Sequence, residues 1–519
     1  MKKKLTAVLL VVALALSLGL VPVAPAAASQ VTDTYTSDVG DSVRMLEVSV
    51  PASGPTNFTA LEAAGGWTSW HSAVATDHGS WADISGAGWI QSNATTSYPG
   101  GDWWYEFRKT ISIPSEAANI SGSIEINADN ANEVHLNGDT YCVPNPLNDT
   151  QDGEVYGTWA DNYEWGYINT WDVSSSLQTG TNDLLIVIRN YPVGSFNPHG
   201  VTYKLTVSYE IPDIEKTMAS DGYLGDIITV TLEVENPYTS ATVKDVIPDG
   251  LRYILDTFMV DSGSGPVAVT PTIADNTIST TVGQGDFTIT FDVQVVEVQC
   301  EEVTVTNTAE LWYDGDPVAS DSKDITLWPY EGFVKTFTIV HEDNLNGAIE
   351  VNELVMWDMN ITVPNNVGWN IVDAVLKDNL GGELGMAGDG VNNDRANGTD
   401  EDNGTTAWGD VEMEYNTLHG CPITIKTPGK SNKVHFWIED IDIDDGDPAL
   451  VFVLGIFTDY NPGKGKIPGI HSYSSPGTDY YLNSGATLKF TDTSEGGTGF
   501  LLSAHTCPVL IDVVPPITP

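Results

Sequence analysis

Residues 225–236 read GDIITVTLEVEN, and this stretch shows the pattern that decides the fold. From Ile227 to Val234, apolar and polar side chains alternate, which sends them to opposite faces of an extended strand. The stretch is rich in isoleucine, valine and threonine, which suit the pleated surface of a sheet. Glycine and aspartate open it, asparagine ends it and proline follows it; all four are typical of turns. The stretch therefore predicts a β-strand with one buried face.

The same pattern recurs along nearly the whole chain. Residues 123–126, 288–298 and 357–363 also alternate with period two, and turn residues bound each of them. Few windows show the spacing of an amphipathic helix. Strands that recur about every 8–12 residues are typical of sandwiches and jelly rolls. We therefore predict an all-β chain built of tandem β-sandwich domains.

The length and the charge limit the classes of protein to consider. A chain of 519 residues is long enough for roughly three or four domains. Acidic residues number 71 against 21 lysines and arginines, which gives a formal net charge of −50. Such a chain repels nucleic acid and anionic lipid, and it attracts cations such as Ca²⁺. We therefore exclude nucleic acid as a partner and consider calcium as a ligand.

The first 28 residues have the three parts of an export signal. Lys2 to Lys4 form a basic start, an apolar run extends from Leu5 to Leu20, and small residues at 24–28 offer a cleavage site. A membrane anchor is the alternative, but the apolar run is short and ends in proline and alanine. No second apolar run of membrane length follows. We expect a secreted or cell-surface protein with no transmembrane anchor after signal removal.

Two prolines mark the domain boundaries. Pro212 follows the predicted strand 202–209, and Pro329 follows the predicted strand 322–327. Proline lacks the N–H group that a sheet interior needs, so each of them ends a strand. We predict three blocks after the signal peptide 1–28: a first block 29–212, a second block 213–329 and a third block 330–519.

The second and third blocks share a diverged repeat. In the second block, Lys216 precedes the alternating strand, and Val243-Lys244-Asp245 leads to the turn Pro248-Asp249-Gly250-Leu251. In the third block, Lys335 precedes an alternating strand, and Leu376-Lys377-Asp378 leads to a turn that contains glycine.

With Val305-Thr306-Asn307-Thr308-Ala309-Glu310, these features make the second block similar to a known family. It resembles the immunoglobulin-like repeat called "domain of unknown function eleven" of prokaryotic envelope proteins. The resemblance implies a sandwich that serves as a spacer or scaffold on the cell exterior, with no catalytic residues. The third block matches only in its first half. We expect it to be a diverged immunoglobulin-like β-sandwich with acidic loop insertions.

The first block resembles the galactose-binding-like jelly roll. The resemblance rests on residues 104–109, 124–130, 134–138, 171–173 and 180–187. It includes Asn137-Gly138, which suits a tight hairpin turn with positive φ. The resemblance implies a jelly roll like the accessory sugar-binding domain of some glycoside hydrolases.

The first block also concentrates tryptophan, and nine tryptophans lie between Trp67 and Trp171. An exposed indole stacks on the apolar face of a sugar ring, while carboxylates and amides bind its hydroxyls. Residues 159–165 hold this mixture in one predicted loop. The candidate glycan-binding residues are Trp103, Trp104, Trp159, Asp161, Asn162 and Trp165. The alternative is that the tryptophans fill the core of the sandwich.

The acidic loops of the third block predict calcium sites. Alternating Asp and Asn oxygens suit a hard cation, and glycine allows the sharp turn that gathers them. Residues 389–402 and 342–353 have this composition, and 439–447 is a third acidic run. The candidate ligands are Asp389, Asn392, Asp394, Asn397, Asp400, Asp402, Glu342, Asn344, Asn346 and Glu353. A plain hairpin turn at Asn346-Gly347 is the alternative for the second loop.

The chain has four cysteines, Cys142, Cys300, Cys421 and Cys507. An exported protein is able to oxidise them. Cys421 and Cys507 fall in one predicted block, so we predict a disulfide between them and expect the other two to be free and buried. A zinc site formed by these two cysteines with His419 and His505 is the alternative.

No catalytic motif stands out in the sequence. We therefore expect a non-enzymatic, structural or adhesive surface protein that calcium stabilises and whose partners are glycans or other envelope proteins. A secreted carbohydrate-active enzyme with an accessory sugar-binding domain is the first alternative, because paired carboxylates serve glycosidases. A self-assembling surface-layer or filament subunit is the second.

Overall fold

The computed structural model confirms that the protein is all-β. It describes residues 29–48, 62–63, 65–76, 79–93, 102–129, 131–142, 166, 168–190, 198–339, 354–363, 370–380, 384–386, 411–415, 423–426, 433–438, 441–442, 450–460, 480–492 and 498–511. Nearly all regular elements in these ranges are β-strands, as predicted. No helix in them is both long and apolar enough to cross a membrane. The predicted signal peptide 1–28 lies outside the described residues.

The first block forms two six-stranded sheets. Its strands are β1 (Gln30–Thr36), β2 (Ser42–Val48), β3 (His71–Ser72), β4 (Val74–Ala75), β5 (Ile90–Gln91), β6 (Asp102–Ile113), β7 (Ala118–Asp129), β8 (Ala131–Leu136), β9 (Asp139–Cys142), β10 (Asn169–Asp172), β11 (Gly180–Asn190) and β12 (Gly200–Glu210). One sheet has the order β10-β7-β12-β5-β4, with β1 beside β12. The other, which we call the β6 sheet, has the order β3-β2-β6-β11-β8-β9. A short 3₁₀ helix spans Ser174–Ser176.

The two sheets of the first block enclose one apolar core. Tyr105 and Phe107 of β6 lie in it with Ile124 and Ile126 of β7. Because side chains alternate along a strand, the residues between them on β6 face away from this core. The hairpin between β8 and β9 turns at Asn137-Gly138, where φ is 51° and 95°. This confirms the predicted turn with positive φ.

The second block is built around two long strands, β15 and β20. Its strands are β13 (Asp213–Thr217), β14 (Asp221–Gly222), β15 (Ile227–Val246), β16 (Leu251–Tyr253), β17 (Met259–Asp261), β18 (Val267–Ala268), β19 (Thr272–Ala274), β20 (Thr277–Val295), β21 (Glu297–Val298), β22 (Val303–Tyr313) and β23 (Asp316–Leu327). All except β21 belong to one ten-stranded sheet with the order β14-β23-β22-β15-β20-β17-β18. In that sheet β13 pairs with β15, and β16 and β19 pair with β20.

The alternating stretch 225–236 leads into and forms the first half of β15. Ile228, Val230, Leu232 and Val234 are buried, as the alternation predicts. The pairing of β15 with β20 shifts register between Asn236 and Ser240. Before the shift β15 pairs with β13, and after it β15 pairs with β22. The single strand β15 therefore lies beside β13 in its first half and beside β22 in its second half.

The third block contributes strands to two further sheets. Its strands are β24 (Phe333–Ile339), β25 (Leu354–Val363), β26 (Asn370–Leu380), β27 (Leu384–Met386), β28 (Val411–Tyr415), β29 (Ile423–Lys426), β30 (Lys433–Ile438), β31 (Ile441–Asp442), β32 (Leu450–Tyr460), β33 (Tyr480–Asp492), β34 (Leu501–His505) and β35 (Val509–Ile511). The five-stranded sheet has the order β24-β25-β32-β27, with β28 beside β32. The eight-stranded sheet has the order β21-β34-β33-β26-β30-β29, with β31 beside β26 and β35 beside β33.

The second and third blocks are joined by strand pairing. Strand β21 of the second block pairs in parallel with β34 of the third. The Ser503 amide donates a 2.8 Å hydrogen bond to the Val296 carbonyl, and His505 Nε2 lies 2.9 Å from Glu297 Oε1. Apolar residues of both blocks, among which is Leu502, form one continuous core. The predicted boundary at residue 329 is therefore crossed by both a sheet and a core.

A disulfide between Cys300 and Cys507 closes this junction. The predicted bond between Cys421 and Cys507 is wrong, because the Cys507 sulfur is bonded to Cys300. The alternative zinc site fails for the same reason. Pairing of β21 with β34 brings together two cysteines that are 207 residues apart in sequence, whereas the prediction assumed that partners share a block. Cys421 itself lies outside the described residues.

The first and second blocks meet through hydrogen bonds. The Ser29 amide donates to Glu235 Oε2 at 2.9 Å, and Asn119 Nδ2 donates to the Pro237 carbonyl at 3.2 Å. The Tyr238 hydroxyl donates to the Glu116 carbonyl at 2.6 Å. The contacts on the second block all come from β15, next to its register shift.

Candidate functional site

The candidate site lies on the outer face of the β6 sheet. Tyr105 and Phe107 face the core, so Trp104 before them and Glu106 between them face outward. We call the polar and aromatic residues gathered on this face the outer-face cluster. Its members are Arg44, Glu62, Trp67, Trp70, Trp104, Glu106, Glu133, His135 and Arg189.

Strand register aligns the charged members of the cluster. Arg44 of β2 lies opposite Glu106 of β6, and Glu106 lies opposite Val187 of β11. Val187 in turn lies opposite Glu133 of β8. Neighbouring strands are about 4.8 Å apart, so side chains of one row come within reach of each other. Arg44, Glu106 and Glu133 therefore lie in one row across four strands, with the apolar Val187 between Glu106 and Glu133.

Arg44 holds the centre of the cluster together. Its guanidinium donates a hydrogen bond to Glu106 and forms an ion pair with Glu62. It also lies over two indole rings, 4.4 Å from the ring centroid of Trp67 and 4.8 Å from that of Trp70. A guanidinium within about 6 Å of an indole centroid is attracted to the face of the ring. Arg44 thus ties Glu62, Trp67 and Trp70 to the sheet.

Glu106 is fully buried, and its burial controls its protonation. Burial and the neighbouring Glu62 raise the pKa of Glu106 to about 8, and Arg44 offsets only part of that rise. For Glu62, burial works to raise the pKa, but hydrogen bonds with Glu106 and Arg44 outweigh it and leave the pKa lowered. Near neutral pH the pair is therefore a protonated Glu106 beside an ionised Glu62.

Glu133 and His135 extend the cluster along β8. Glu133 Oε1 and His135 Nε2 are 3.5 Å apart, and both side chains are buried. Burial raises the pKa of Glu133 to about 7 and lowers that of His135 to about 4. His135 is therefore a neutral imidazole at pH 7, while Glu133 titrates near neutral pH.

Trp104 and Arg189 complete the cluster near the strand ends. Arg189 Cζ lies 5.0 Å from the ring centroid of Trp104. Within the described part of the chain, Trp104 Nε1, Glu106 Oε1 and Glu133 Oε2 are buried without a hydrogen-bond partner. A buried polar atom in that state costs about 1–3 kcal/mol. Each atom is therefore a position where a polar ligand or an ordered water gains a hydrogen bond.

The cluster reaches solvent at residues 62–70. Trp70 is 39% exposed and the Glu62 side chain is 40% exposed. The exposed indole offers an apolar face, and Arg44 and Glu62 beside it offer charged hydrogen-bonding groups. This arrangement suits a ligand that has an apolar face and several hydroxyl groups.

The structure describes two of the six residues predicted to bind a glycan. Trp103 is half-buried and packs against the core of the first block. Trp104 is 2% exposed, which corrects the prediction for it, since a ring buried to this extent has no face on which a sugar could stack. The other four lie outside the described residues, namely Trp159, Asp161, Asn162 and Trp165.

Trp67 and Trp70 belong to the tryptophan-rich part of the first block that the sequence predicts, but the sequence does not single out the charged members of the cluster. Glu106 lies between Tyr105 and Phe107, and this alternation was the signal that the carboxyl points to the opposite face. Arg44 and Glu62 carry no comparable signal, because they are distant in sequence and meet β6 only through the fold.

All ten candidate calcium ligands lie outside the described residues, so the calcium sites stay predictions. Among the residues that the structure does describe, no group of three or more His, Cys, Asp or Glu side chains is placed to hold a metal ion.

A scan against protein-family models and a search of curated proteins find no match. The resemblances of the first and second blocks to known families therefore stay predictions.

Three solved structures are similar to parts of this chain. A putative β-galactosidase from Bacteroides fragilis shares 14% identity, with 56% of this chain and 40% of that chain covered and a TM-score of 0.18. The major pilin subunit BcpA of Bacillus cereus shares 13%, with 53% and 69% covered and a TM-score of 0.21. The C-terminal domain of the Streptococcus pyogenes antigen I/II-family protein AspA shares 10%, with 57% and 100% covered and a TM-score of 0.21. The chain spans less than half the length of the β-galactosidase, and TM-scores this low carry no argument about function.

Proposed function

We propose that this chain is a non-enzymatic, secreted or cell-surface protein with a structural and adhesive role. The first block binds a glycan, and the second and third blocks hold it away from the surface. The observation that carries the proposal is the junction between the second and third blocks. Strand pairing, a disulfide and a shared apolar core act together there. A junction with three kinds of attachment suits a protein that transmits force rather than one that flexes between domains.

The disulfide supports an extracellular location. Structural disulfides persist in oxidising compartments and are rare in the cytosol. Cys300 and Cys507 form such a bond here. Their pairing agrees with the export signal predicted for residues 1–28.

The outer-face cluster supports glycan binding by the first block. Trp70 supplies an exposed ring for stacking, and Arg44 and Glu62 next to it supply hydrogen bonds for hydroxyl groups. Glu106 is protonated near neutral pH, so it both donates and accepts hydrogen bonds without the cost of desolvating a charge. We propose that the sugar stacks on Trp70 and directs its hydroxyls toward these groups.

Replacing Trp70 with alanine should weaken glycan binding about tenfold, because a lost stacking contact is worth roughly 1.4 kcal/mol. The full-length protein is first screened on a glycan array, and affinities for the best glycan are then measured by calorimetry. Trp328→Ala is the matched control, since Trp328 is similarly exposed but lies after the last strand of the second block. Equal glycan affinity in W70A and wild type would show that Trp70 is not part of the binding site.

The same glycans distinguish the proposed non-enzymatic binding protein from a carbohydrate-active enzyme. Incubation of the full-length protein with each bound glycan, followed by a reducing-sugar assay, is expected to show no turnover. Product that accumulates with time would favour the secreted carbohydrate-active enzyme instead.

We also propose that Ca²⁺ stabilises the third block through the acidic loops 342–353 and 389–402. Removal of the ion with a chelator should lower the melting temperature of that block, since an ion at 100 times its Kd stabilises by about 2.7 kcal/mol. Restored calcium should reverse the change. An unchanged melting temperature contradicts calcium binding. Light scattering that rises with calcium would favour the surface-layer or filament alternative.

A further inference from the structure

Three polar side chains occupy core positions in the second block. Lys216 of β13, Asp245 of β15 and Asn307 of β22 are 0%, 2% and 0% exposed. Each lies two residues away from a member of the apolar core, namely Ile214, Val243 and Ala309. Because side chains alternate along a strand, an apolar residue is expected at each of these three positions. A lysine is almost never fully buried unless it has a partner.

The fold brings these three side chains together. Lys216 Nζ donates a hydrogen bond to Asp245 Oδ2. Asp245 lies opposite Ala309, and Asn307 is the next residue on that face of β22. The Lys216 amide donates a 2.8 Å hydrogen bond to Asp321 Oδ2, and Asp321 is also paired with Ala309. Lys216 and Asn307 thus approach Asp245 from two different strands.

The Asn307 carboxamide is not satisfied by hydrogen bonds. It lies close enough to lower the pKa of Asp245, but within the described residues neither its Oδ1 nor its Nδ2 has a partner with hydrogen-bond geometry. Within the same part of the chain, Asp245 Oδ1 is also buried without a hydrogen-bond partner. Two unmet atoms on one buried amide cost about 1–3 kcal/mol each. A hydrogen bond of good geometry therefore does not account for the burial of Asn307.

Burial shifts the lysine and the aspartate toward their neutral forms. It lowers the pKa of Lys216, although Asp245 and Asp321 oppose this, and it raises the pKa of Asp245, although Lys216 opposes that. A neutral amine is a nucleophile, and a neutral carboxylic acid is able to donate a proton to a carbonyl. The pair therefore has the acid–base character that an acyl transfer requires.

We propose that Lys216 and Asn307 form an intramolecular amide bond, with Asp245 as the group that moves protons between them. Lys216 Nζ attacks Asn307 Cγ while Asp245 protonates the carbonyl oxygen. Asp245 then takes a proton from Nζ and delivers it to the departing Nδ2. As the Cγ–Nδ2 bond breaks, the carbonyl oxygen returns its proton to Asp245. The Nζ–Cγ bond forms, the Cγ–Nδ2 bond breaks and one ammonia molecule leaves. No oxidant, metal or other reactant is needed.

The product removes the costs that burial imposes on the three groups. The ammonium and the carboxylate need not persist in the core, because the new amide is uncharged. The bond also connects β13, the first strand of the block, to β22, the second strand from its end. The second block would then be closed by a covalent link of its own, in addition to the disulfide that joins it to the third block.

Mass spectrometry of the full-length purified protein tests the proposal. With the N-terminus determined and the disulfide reduced, the mass is expected to lie about 17 Da below that of the sequence, which is one ammonia molecule. Tandem spectra of a proteolytic digest should show the Lys216 peptide linked to the Asn307 peptide. Lys216→Arg and Asn307→Ala should each have the full mass of their sequences, and Asp245→Ala should have the full mass even though both linked residues remain.

The matched control is Lys323→Arg, because Lys323 is an exposed lysine of the same block and its variant should keep the loss. A wild-type protein with the full mass of its sequence overturns the proposal, whether or not the variants fold. A loss of about 18 Da with Lys216 linked to Asp245 also overturns it, because water and not ammonia would then have left.

Discussion

Replacing Cys300 with serine is expected to lower the free energy of unfolding by about 3–5 kcal/mol. The disulfide that this change removes connects residues 207 positions apart, and the stabilisation by a disulfide grows with the length of the loop that it closes. Strand pairing and the shared core remain, so the second and third blocks should still dock. Their unfolding transitions, measured by calorimetry, are expected to separate because one of three attachments is lost.

Three further variants decide which cysteines are paired. Cys507→Ser should match Cys300→Ser, and the double variant should cost no more than either single one, since all three lose the same bond. Cys421→Ser is the comparison. If Cys421→Ser produced the drop in stability and Cys300→Ser did not, the pairing described here would be contradicted.

A rise in pH from about 6.5 to about 9 is expected to destabilise the first block by about 1–2 kcal/mol. Glu106 is the main cause, with a pKa of about 8 in the folded protein against an ordinary value of 4.5. Between these values the folded protein holds a proton that the unfolded chain has released. Stability therefore falls as the pH rises, and the contribution of Glu106 is lost above about pH 8. Glu133 and Asp129 act in the same direction, because burial raises the pKa of each to about 7.

The histidines of the first block set the lower limit of this pH window. Burial lowers the pKa of His135 to about 4 and that of His199 to about 3, against an ordinary value of 6.5. Their effect has the opposite sign, since the unfolded chain then binds the extra protons and stability rises with pH. That effect ends near pH 6.5, so above it Glu106, Glu133 and Asp129 set the direction of the change.

The Glu106→Gln variant tests whether Glu106 causes the pH dependence of stability in the first block. It keeps the shape of the side chain but cannot ionise, so the melting temperature of the first block should depend less on pH. Glu125→Gln is the control, because the Glu125 side chain lies on the other sheet and is well exposed. A pH dependence in E106Q as steep as in the wild type would show that other groups cause it.

The sequence was sufficient for the fold because the alternation is a local property. Burial of Ile228, Val230 and Leu232 follows from the period of a strand alone. The same alternation identifies positions 216, 245 and 307 as core positions, so the sequence alone indicates that polar residues occupy them. What the alternation does not give is the strand register that brings these three positions to one point.

The disulfide and the outer-face cluster depend on contacts between distant segments. Cys300 meets Cys507 only because β21 pairs with β34, and no local pattern at either strand indicates that partner. Alternation correctly sends Glu106 to the outer face, but an outer face is ordinarily wet. Glu106 is nevertheless buried, with Arg44 and Glu62 in contact with it, and these are tertiary contacts that sequence spacing does not reveal.

The parallel pairing of β21 with β34 also sets an order of events during synthesis. Residues 297–298 leave the ribosome long before residues 501–505, and domains generally fold as they emerge. The ten-stranded sheet of the second block has all its strands before residue 328, so it is able to form early. Strand β21, which lies outside that sheet, and the Cys300 thiol must then wait for the last strands of the chain. A nascent or truncated chain that stops before residue 501 therefore exposes an unpaired strand and a reactive thiol on an otherwise complete domain.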